Sequence, residues 1–226
     1  MQAFTSVRGV IAPLDRANVD TDQIIPKQFL KSIARSGFER GLFFDWRYLP
    51  DGRPNPDFVL NAPVYQKAAI LVVRQNFGCG SSREHAVWAL AQYGFQALIA
   101  PKISRENIHI PGFADIFRNN CAKNGILAIE LDAPQVDEIF ARIERHPGVE
   151  ATVDLPGQTI TLHDDKARGF SFDIEPSLKK RLLQGLDDIA VTLSRQQAIA
   201  AFERRHDVWL PQQNGDRHKC QGFGQE

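Results

Sequence analysis

The sequence predicts an α/β fold in which a mixed sheet is flanked by helices. Between residues 68 and 145, short apolar runs alternate with stretches of helical spacing, a pattern typical of parallel strands joined by helices. Residues 151–155 and 159–163 then alternate apolar and polar side chains around a Pro-Gly-Gln turn, which indicates an antiparallel hairpin. A glycine-rich segment joins the first of the parallel strands, at residues 68–73, to the helix that follows it. From the residues of this segment we predict the function.

Composition limits the class of protein. Of the 226 residues, 43% are hydrophobic and 24% are charged, which is ordinary for a globular protein, and the length fits one domain better than two. We predict a single domain over residues 1–210 and a disordered polar tail over residues 211–226. Basic and acidic residues are equal in number, 27 of each, so the overall charge gives no case for binding nucleic acid or an anionic membrane.

The cysteines and the amino terminus predict where the protein works. Cys79, Cys121 and Cys220 are odd in number and far apart, so we do not expect a disulfide framework. No apolar run approaches the roughly 20 residues that span a bilayer. Residues 1–6 lack a basic region followed by an apolar stretch, so no secretory signal is expected. We therefore predict a cytoplasmic protein.

Ahead of residue 68, the sequence predicts one strand and several loops. Residues 7–12 are apolar and are expected to form a strand that is closed by Pro13. The Asp, Asn and Thr residues between 15 and 26 favour side-chain-to-backbone turns over regular structure. The segments that follow are a short helix and mobile loop over 27–42, a packed aromatic segment over 42–48 and a surface loop over 50–57.

The remaining elements follow from the spacing of apolar residues and from glycine and proline. Strands are predicted at 68–73, 97–100 (ended by Pro101), 126–131 and 169–174. Helices are predicted at 84–93 (ended by Gly94), 113–124 (ended by Gly125), 134–145, 177–183 (ended by Gly185) and 194–205. Residues 102–111 are expected to be irregular, and Ser194 is expected to open its helix with a capping box.

Residues 76–86, Asn-Phe-Gly-Cys-Gly-Ser-Ser-Arg-Glu-His-Ala, form the predicted strand-to-helix turn. Two glycines, two hydroxyl groups and an arginine precede the helix, so free backbone N–H groups and the positive end of the helix dipole point at one place. This arrangement predicts a seat for an anion. Arg83 can in addition bind a carboxylate through two parallel hydrogen bonds. The plainer alternative is a glycine-rich turn whose helix is capped by Ser81 or Ser82.

The spacing of residues excludes several other kinds of site at this turn. A phosphatase loop needs Arg six residues after its Cys, but His85 stands at that distance from Cys79. A Walker loop needs a Lys and a hydrolase elbow needs Gly-x-Ser-x-Gly, and the turn has neither. The cysteines are not clustered, so this chain alone is not expected to hold an iron–sulfur cluster. Cys79 is expected to pack as a small residue and His85 to be structural.

Three further features could take part in chemistry. The acids of residues 15–22 could suggest a calcium loop, but the glycine and closing glutamate of an EF-hand are missing, so a structural or substrate-facing loop is the better prediction. Basic side chains between residues 27 and 40 could reach a carboxylate or could form a solvated face. An alkoxide on Ser81, stabilised by the helix start and by Arg83, could abstract a proton adjacent to a carboxylate.

Three segments resemble one protein family. The turn at 76–86, the segment Ala-Asn-Val-Asp-Thr-Asp-Gln-Ile-Ile-Pro at 17–26 and the segment Phe-Ala-Asp-Ile-Phe at 113–117 are similar to the small subunits of 3-isopropylmalate dehydratases, in the aconitase superfamily. The resemblance runs from about residue 4 to residue 206, and residues 43–47 and 54–58 resemble the bacterial type more than the shorter archaeal type. It implies a swivelling β/β/α domain similar to the carboxyl-terminal domain of aconitase.

The resemblance also implies a reaction and a partner. In that family, 2-isopropylmalate and 3-isopropylmalate interconvert through 2-isopropylmaleate during leucine biosynthesis, and a [4Fe-4S] cluster in a separate large subunit binds the substrate hydroxyl. By position, Ser81 would be the catalytic base, and Ser82 and Arg83 would bind a substrate carboxylate. Arg35 would be a weaker candidate in a loop, residues 29–41, near the variable side chain of the substrate. This chain would hold no metal and would act in a heterodimer or heterotetramer with the large subunit.

Two departures from the family leave the substrate open. Residues 102–112 look like an insertion, and the polar tail after Leu210 is longer than typical. Either could alter the contact with the large subunit, or could mark a relative that acts on citramalate or homocitrate. The alternative of a different class is a stand-alone dicarboxylate-binding module without catalysis.

Overall fold

The computed structural model describes residues 1–31, 36–80, 83–105 and 108–206. Packing divides the chain into two compact units, one ending at Asp187 and the other beginning at Asp188. The first unit contains the sheet and the candidate site, and the second, over its described residues, consists of two helices. The single domain over 1–210 stays a prediction. The predicted tail at 211–226 lies outside the described residues.

A mixed sheet forms the centre of the first unit. Its strands in the described ranges are β1 (Ser6–Leu14), β2 (Ile70–Val73), β3 (Ala97–Arg105), β4 (Ile108–Ile110), β5 (Leu127–Asp132), β6 (Glu150–Asp154), β7 (Thr159–Leu162) and β8 (Arg168–Ser171). The strand order is β4-β3-β2-β1-β6-β7-β8, and β5 also pairs with β3. Strands β1, β2, β3 and β5 pair in parallel and form the parallel half, whereas β6, β7 and β8 pair antiparallel and form the antiparallel half. The two halves meet where β6 pairs antiparallel with β1.

Eight helices lie in the described ranges, and the last two of them belong to the second unit. They are α1 (Thr21–Ile24), α2 (Phe44–Arg47), α3 (Glu84–Tyr93), α4 (Asp115–Lys123), α5 (Ala133–Arg145), α6 (Pro176–Gln184), α7 (Asp188–Leu193) and α8 (Gln196–His206). The connection from β1 to β2 also contains 3₁₀ turns at Lys27–Lys31, Phe38–Gly41, Val59–Asn61 and Pro63–Tyr65. Helix α3 joins β2 to β3, and α5 packs across all four strands of the parallel half.

Burial explains the two sequence patterns from which the strands were predicted. All four residues of β2 and the first five of β3 are buried, because helices cover this part of the sheet, and such strands are apolar throughout. In β6 and β7, the buried residues alternate with half-buried polar ones, as expected for strands with one solvated face. The mixed α/β architecture predicted from the sequence is confirmed.

Most of the predicted elements are present. The parallel pairing within residues 68–145, the hairpin of β6 and β7 and the third strand β8 are confirmed. Helix α3 ends at Gly94 with a φ of 122°, and α6 ends at Gly185, which adopts the left-handed conformation. The aromatic segment over 42–48 packs as predicted, since Phe43 is fully buried and its ring stacks on Trp46 with the centroids 5.6 Å apart.

Two strands continue through prolines that were expected to end them. Strand β1 includes Pro13 and β3 includes Pro101. Pro13 lies beyond Val10, the last residue of β1 that pairs with β6, and Pro101 lies beyond Ile99, the last residue of β3 that pairs with β2. On one side of each proline the neighbouring strand has already ended, so the missing N–H removes no hydrogen bond from the sheet there.

Residues 102–111 are not irregular. The end of β3 pairs with β4 in an antiparallel hairpin, with Ile103 opposite Ile110 and Ser104 opposite His109. The apolar residues at 103 and 110 face each other across this pair, a pattern that the short span and its polar neighbours obscured. The segment interpreted as an insertion therefore contains an antiparallel strand pair, and residues 106–107 lie outside the described residues.

Two further predictions need correction. Residues 15–26 contain the one-turn helix α1, because Asp20 and Gln23 form a capping box in which each side chain binds the other's backbone N–H, at 2.7 and 2.9 Å. Ahead of α8 the chain forms an additional helix, α7, which the sequence reading missed. The hydroxyl of Ser194 donates to the carbonyl of Val191 at 2.7 Å in that helix, so Ser194 closes α7 instead of opening α8.

Candidate active site

The glycine-rich turn lies at the carboxyl edge of the parallel strands, where open α/β sheets bind ligands. It follows β2 directly and runs beside residues 18–21, which follow β1. The N–H of Gly78 donates to the carbonyl of Val19 at 2.7 Å, and the N–H of Thr21 donates to the carbonyl of Cys79 at 3.0 Å. These two bonds place the start of α1 against the middle of the turn.

A second segment, residues 111–117, binds the other side of the turn. The N–H of Phe77 donates to the carbonyl of Gly112 at 2.9 Å, and the N–H of Ala114 donates to the carbonyl of Phe77 at 3.0 Å. The same segment then begins α4. We call residues 111–117 the wall, since α4 starts within it and its residues face the turn. Two segments that are far apart in the sequence thus hold the turn between them.

Backbone conformation explains the glycines of the turn. Gly78 and Gly80 have φ values of 75° and 86°, in the left-handed region that favours glycine. At Gly78 a side chain is also excluded by packing, because a Cβ there would overlap the ring of Phe117 on the wall. The close approach of the turn to α4 therefore requires glycine at this position.

A pocket of about 280 Å³ opens between these segments. The residues that line it come from α1, the turn, the N-cap of α3 and the wall: Thr21, Gly78, Gly80, Arg83, Ala114, Asp115, Ile116 and Phe117. Ser81 and Ser82 stand between two of these residues in the sequence but lie outside the described residues. Arg35 lies outside them as well, so the roles predicted for these three residues stay predictions.

Arg83 is present at the pocket, and it is paired. Its side chain is 17% exposed, and Nη1 forms an ion pair with Asp22 of α1. Lys27 lies 3.8 Å from the other oxygen of Asp22, so two cations share this carboxylate. Arg83 is also the N-cap residue of α3. The alternative interpretation of the turn had placed Ser81 or Ser82 at this position.

The three acids that could have suggested a calcium loop have other partners. Asp15 pairs with Arg74, Asp20 caps α1 and Asp22 pairs with Arg83. Among the described residues, no group of three or more His, Cys, Asp or Glu side chains is arranged to hold a metal ion. The segment instead forms one side of the pocket, in keeping with the prediction of a structural or substrate-facing loop.

His85 and the described cysteines are placed as packing residues. The ring of His85 lies 5.2 Å from that of Phe38 and 4.8 Å from that of Trp88, between centroids. Burial raises the pKa of the Cys79 thiol, the charge of Asp20 raises it further, and burial also raises the pKa of Cys121. Both thiols therefore stay protonated at neutral pH and are poor nucleophiles.

Sequence reasoning missed two residues that shape the site. Asp22 binds the arginine of the turn, and Glu130 on β5 binds the main chain of the wall. Asp22 belonged to a segment already noted for its acids, so a search for a counter-ion to Arg83 could have found it. Glu130 stands in an otherwise alternating strand, and nothing near it in the sequence indicates its partner.

Comparison with known proteins agrees with this geometry. The family model of the aconitase C-terminal domain matches residues 1–134, and a second model, LeuD_N, matches residues 137–176. The 3-isopropylmalate dehydratase small subunit of Desulforapulum autotrophicum is 51% identical over 210 residues, which are 93% of this chain and 98% of the relative. That of Magnetococcus marinus is 53% identical over 220 residues, again covering 93% of this chain and 98% of the relative.

A solved structure supports the fold. The crystal structure of 3-isopropylmalate dehydratase (leuD) from Methanocaldococcus jannaschii superimposes with a TM-score of 0.60 at 23% identity, covering 88% of this chain and 99% of that one. No helix in the described ranges is both long and apolar enough to cross a membrane. The resemblance seen in the three sequence segments is confirmed: the chain belongs to the aconitase C-terminal domain family and, within it, to the small subunits of 3-isopropylmalate dehydratases.

Proposed function

We propose that this chain is the substrate-binding half of a 3-isopropylmalate dehydratase, a hydro-lyase that interconverts 2-isopropylmalate and 3-isopropylmalate through 2-isopropylmaleate in leucine biosynthesis. The observation that carries the proposal is the pocket beside the glycine-rich turn, which Arg83 lines with a cationic group. The substrate has two carboxylates at neutral pH, and a guanidinium at the start of a helix suits one of them. The names of the relatives favour this reaction over others in the superfamily.

Within the turn, we assign Ser81 as the base that removes the substrate proton and Ser82 and Arg83 as ligands of a substrate carboxylate. Gly80 and Arg83, on either side of the serine pair in the sequence, both line the pocket, which supports these roles. Arg35 is retained as a weaker candidate for contact with the substrate.

The pairing of Arg83 suits it to this task. A guanidinium carries five N–H donors in a planar fork, and the ion pair with Asp22 is made through Nη1. Donors on the other nitrogens are then left for a carboxylate that enters the pocket. Since Asp22 already fixes the side chain, substrate binding costs less conformational entropy than it would with a free arginine.

The same groups would assist Ser81. An unassisted serine is a very weak acid, so a serine base needs positive potential around its oxygen. The guanidinium of Arg83 and the first N–H groups of α3, a helix of 10 residues, supply such potential at this end of the turn. In that field Ser81 can first lose its own proton, and the resulting alkoxide then takes the proton from the substrate carbon next to a carboxylate.

We propose that the [4Fe-4S] cluster of the reaction is held by a large partner subunit, where it supplies a Lewis acid for the substrate hydroxyl. The described residues of this chain do not fit such a cluster, because they contain no set of three suitable ligands and Cys121 is fully buried. The complex is a heterodimer or a heterotetramer. The free thiols of Cys79 and Cys121 suit the reducing cytoplasm, in which we place it.

Reconstitution tests the proposal. The chain is mixed with a cluster-bearing 3-isopropylmalate dehydratase large subunit, the complex is isolated by gel filtration, and turnover is measured with isopropylmalate, citramalate and homocitrate. We expect a brown complex whose kcat/KM for isopropylmalate exceeds those for the other two acids by about tenfold or more, since a site shaped for a branched side chain discriminates by roughly that factor.

Two outcomes contradict the proposal. A preference for citramalate or homocitrate shows that the substrate is wrong. If the chain is colourless, forms no complex and binds dicarboxylates by itself, it is a non-catalytic binding module and not the subunit of an enzyme.

A further inference from the structure

We infer that Glu130 is a positioning residue for the candidate site, because its carboxylate holds the wall against the glycine-rich turn. The inference rests on the proposed function, in which the turn carries the base and a substrate ligand. Glu130 lies on β5, and its side chain is 20% exposed. It does not line the pocket, so it acts through the backbone that it binds.

The carboxylate of Glu130 binds the main chain of the wall. Its Oε1 accepts a hydrogen bond from the N–H of Gly112 at 2.7 Å and a longer one from the N–H of Phe113 at 3.4 Å. Its Oε2 lies 3.5 Å from Nη1 of Arg118 on α4. A Cβ at Gly112 would lie 2.9 Å from the Cβ of Ala100 and 3.1 Å from the Cγ of Glu130. Glycine is therefore what lets the wall approach the carboxylate so closely.

The peptide groups on either side of Gly112 connect Glu130 to the turn. The N–H of Gly112 donates to Glu130, and its carbonyl accepts the N–H of Phe77 at 2.9 Å. Phe77 in turn accepts from Ala114 of the wall and precedes Gly78, which lines the pocket. Hydrogen bonds thus link β5 to the wall and the wall to the turn, so a displacement of the wall at Gly112 is passed on to Phe77.

The preceding hairpin explains why the wall needs this tie. Strand β3 pairs with β5 as far as Lys102, after which it leaves β5 to pair with β4. The chain returns at Pro111, whose carbonyl accepts the N–H of Asn76. Glu130 then fixes the returning chain to the sheet just before Ala114, the first pocket residue of the wall. A shift of Gly112 would displace the wall and, through Phe77, the part of the turn at Gly78.

Catalysis is more sensitive to such a shift than binding is. A displacement of about 1 Å at the reacting groups can cost about a hundredfold in rate. Arg83 and its partner Asp22 do not depend on Glu130, so carboxylate binding survives. We therefore expect the loss of Glu130 to lower kcat and to leave KM almost unchanged, whereas a merely stabilising residue would change neither in the folded enzyme.

The test uses Glu130→Ala and Glu130→Gln in the reconstituted enzyme, with Asp164→Ala as the matched control. Asp164 is also a little-exposed carboxylate that pairs with an arginine, with a side chain 5% exposed against 20% for Glu130, but it contacts Arg142 on α5 and not the wall. We expect Glu130→Ala to lower kcat about 30-fold or more with KM within about threefold of wild type. Glu130→Gln keeps an acceptor for Gly112 and is expected to restore kcat to within about threefold.

The control decides between positioning and stability. Asp164→Ala is expected to lower the unfolding midpoint by a similar amount and to leave kcat within about twofold of wild type. Equal kcat values for Glu130→Ala and Asp164→Ala overturn the inference, and so does a Gln variant as slow as the Ala variant.

If Glu130→Ala does not assemble, Glu130→Asp replaces it, with an expected kcat loss of about tenfold, and a loss below twofold overturns the inference. A wild-type complex without any turnover contradicts the proposed function, whereas an active wild type with a fully active Glu130→Ala contradicts only this inference.

Discussion

The parallel and antiparallel halves of the sheet differ in how far apart in the sequence their contacting residues lie. In the antiparallel half, neighbouring strands are joined by short turns, and the ion pairs around Arg142 connect α5 to residues no more than 30 positions away. In the parallel half, the candidate site brings together residues 18–22, 76–83 and 111–117 through backbone hydrogen bonds. The fold of one half is local, and the site in the other half depends on contacts between distant segments.

Backbone strain follows the same division. In the glycine-rich turn, three of the five residues from 76 to 80 have a positive φ: Asn76, Gly78 and Gly80. Among the described residues of β6, β7 and their connection, Gln158 alone has a positive φ. Left-handed residues persist where the surrounding structure determines their conformation, and they concentrate at functional sites. Of these two regions, the one beside the pocket therefore carries more of the left-handed backbone, and the antiparallel half is the more regular.

Gly78→Ala is expected to show the largest effect on stability. The left-handed φ costs about 1–2 kcal/mol for any other residue, and the overlap with Phe117 adds about 1–3 kcal/mol. In the antiparallel half, a Cβ at Gly169 would find its nearest heavy atom at 4.0 Å, so Gly169→Ala is expected to change the free energy of unfolding by less than about 1 kcal/mol. Urea unfolding of both variants measures the difference, and equal losses would contradict the comparison.

Asp22→Asn is expected to act next most strongly, and on the substrate more than on the fold. Arg83 loses its counter-ion and its fixed orientation, so KM is expected to rise roughly tenfold, which corresponds to about 1.4 kcal/mol. The matched control is Glu150→Gln, which removes a pair with Arg8 whose side chains are 66% and 45% exposed. Such an exposed pair contributes at most about 1 kcal/mol, and KM is expected to stay unchanged. A fall in KM for Asp22→Asn would show that Asp22 competes with the substrate for Arg83.

The smallest expected effect is a pH dependence in the antiparallel half. Burial alone would raise the pKa of Asp164, but the hydrogen bond and charge of Arg142 outweigh it, so the pKa of Asp164 lies below its usual value. A lowered pKa stabilises the fold above the unfolded-state value of about 4 and loses that effect as the pH falls through the folded-state value. The difference in unfolding free energy between wild type and Asp164→Asn is therefore expected to be constant near neutral pH, to shrink as the pH falls below about 4 and to vanish only below the folded-state pKa of Asp164. A difference that grows toward low pH would show that the charge of Asp164 destabilises the fold.

Local patterns in the sequence predicted most of the fold. Strand β2 and the first five residues of β3 are apolar throughout because both of their faces are buried. Strands β6 and β7 alternate apolar and polar residues because only one of their faces is buried. Gly94 and Gly185 marked helix ends because the left-handed conformation is nearly exclusive to glycine. Pro13 and Pro101 misled the prediction, since the cost of a missing N–H depends on whether the neighbouring strand extends that far.

The site was predictable where its chemistry is consecutive in the sequence. The strand-to-helix turn and the place of Arg83 at the pocket follow from residues 76–86 alone. The pairing of Arg83 with Asp22 and the tie from Glu130 to Gly112 could not be predicted in the same way, because each joins residues that only the tertiary fold brings together. The β3–β4 hairpin was missed for a related reason, since its three paired positions are too few for a clear alternation.

The most direct test of the account is the turnover of the reconstituted enzyme carrying Ser81→Ala. If Ser81 is the base, kcat for isopropylmalate falls by about a hundredfold to ten-thousandfold, the usual contribution of a positioned base, while Arg83 keeps KM within about threefold of wild type. Ser82→Ala, the adjacent hydroxyl, is the matched control and is expected to raise KM more than it lowers kcat. A Ser81→Ala enzyme that turns over isopropylmalate as fast as wild type would contradict the claim that this turn supplies the base.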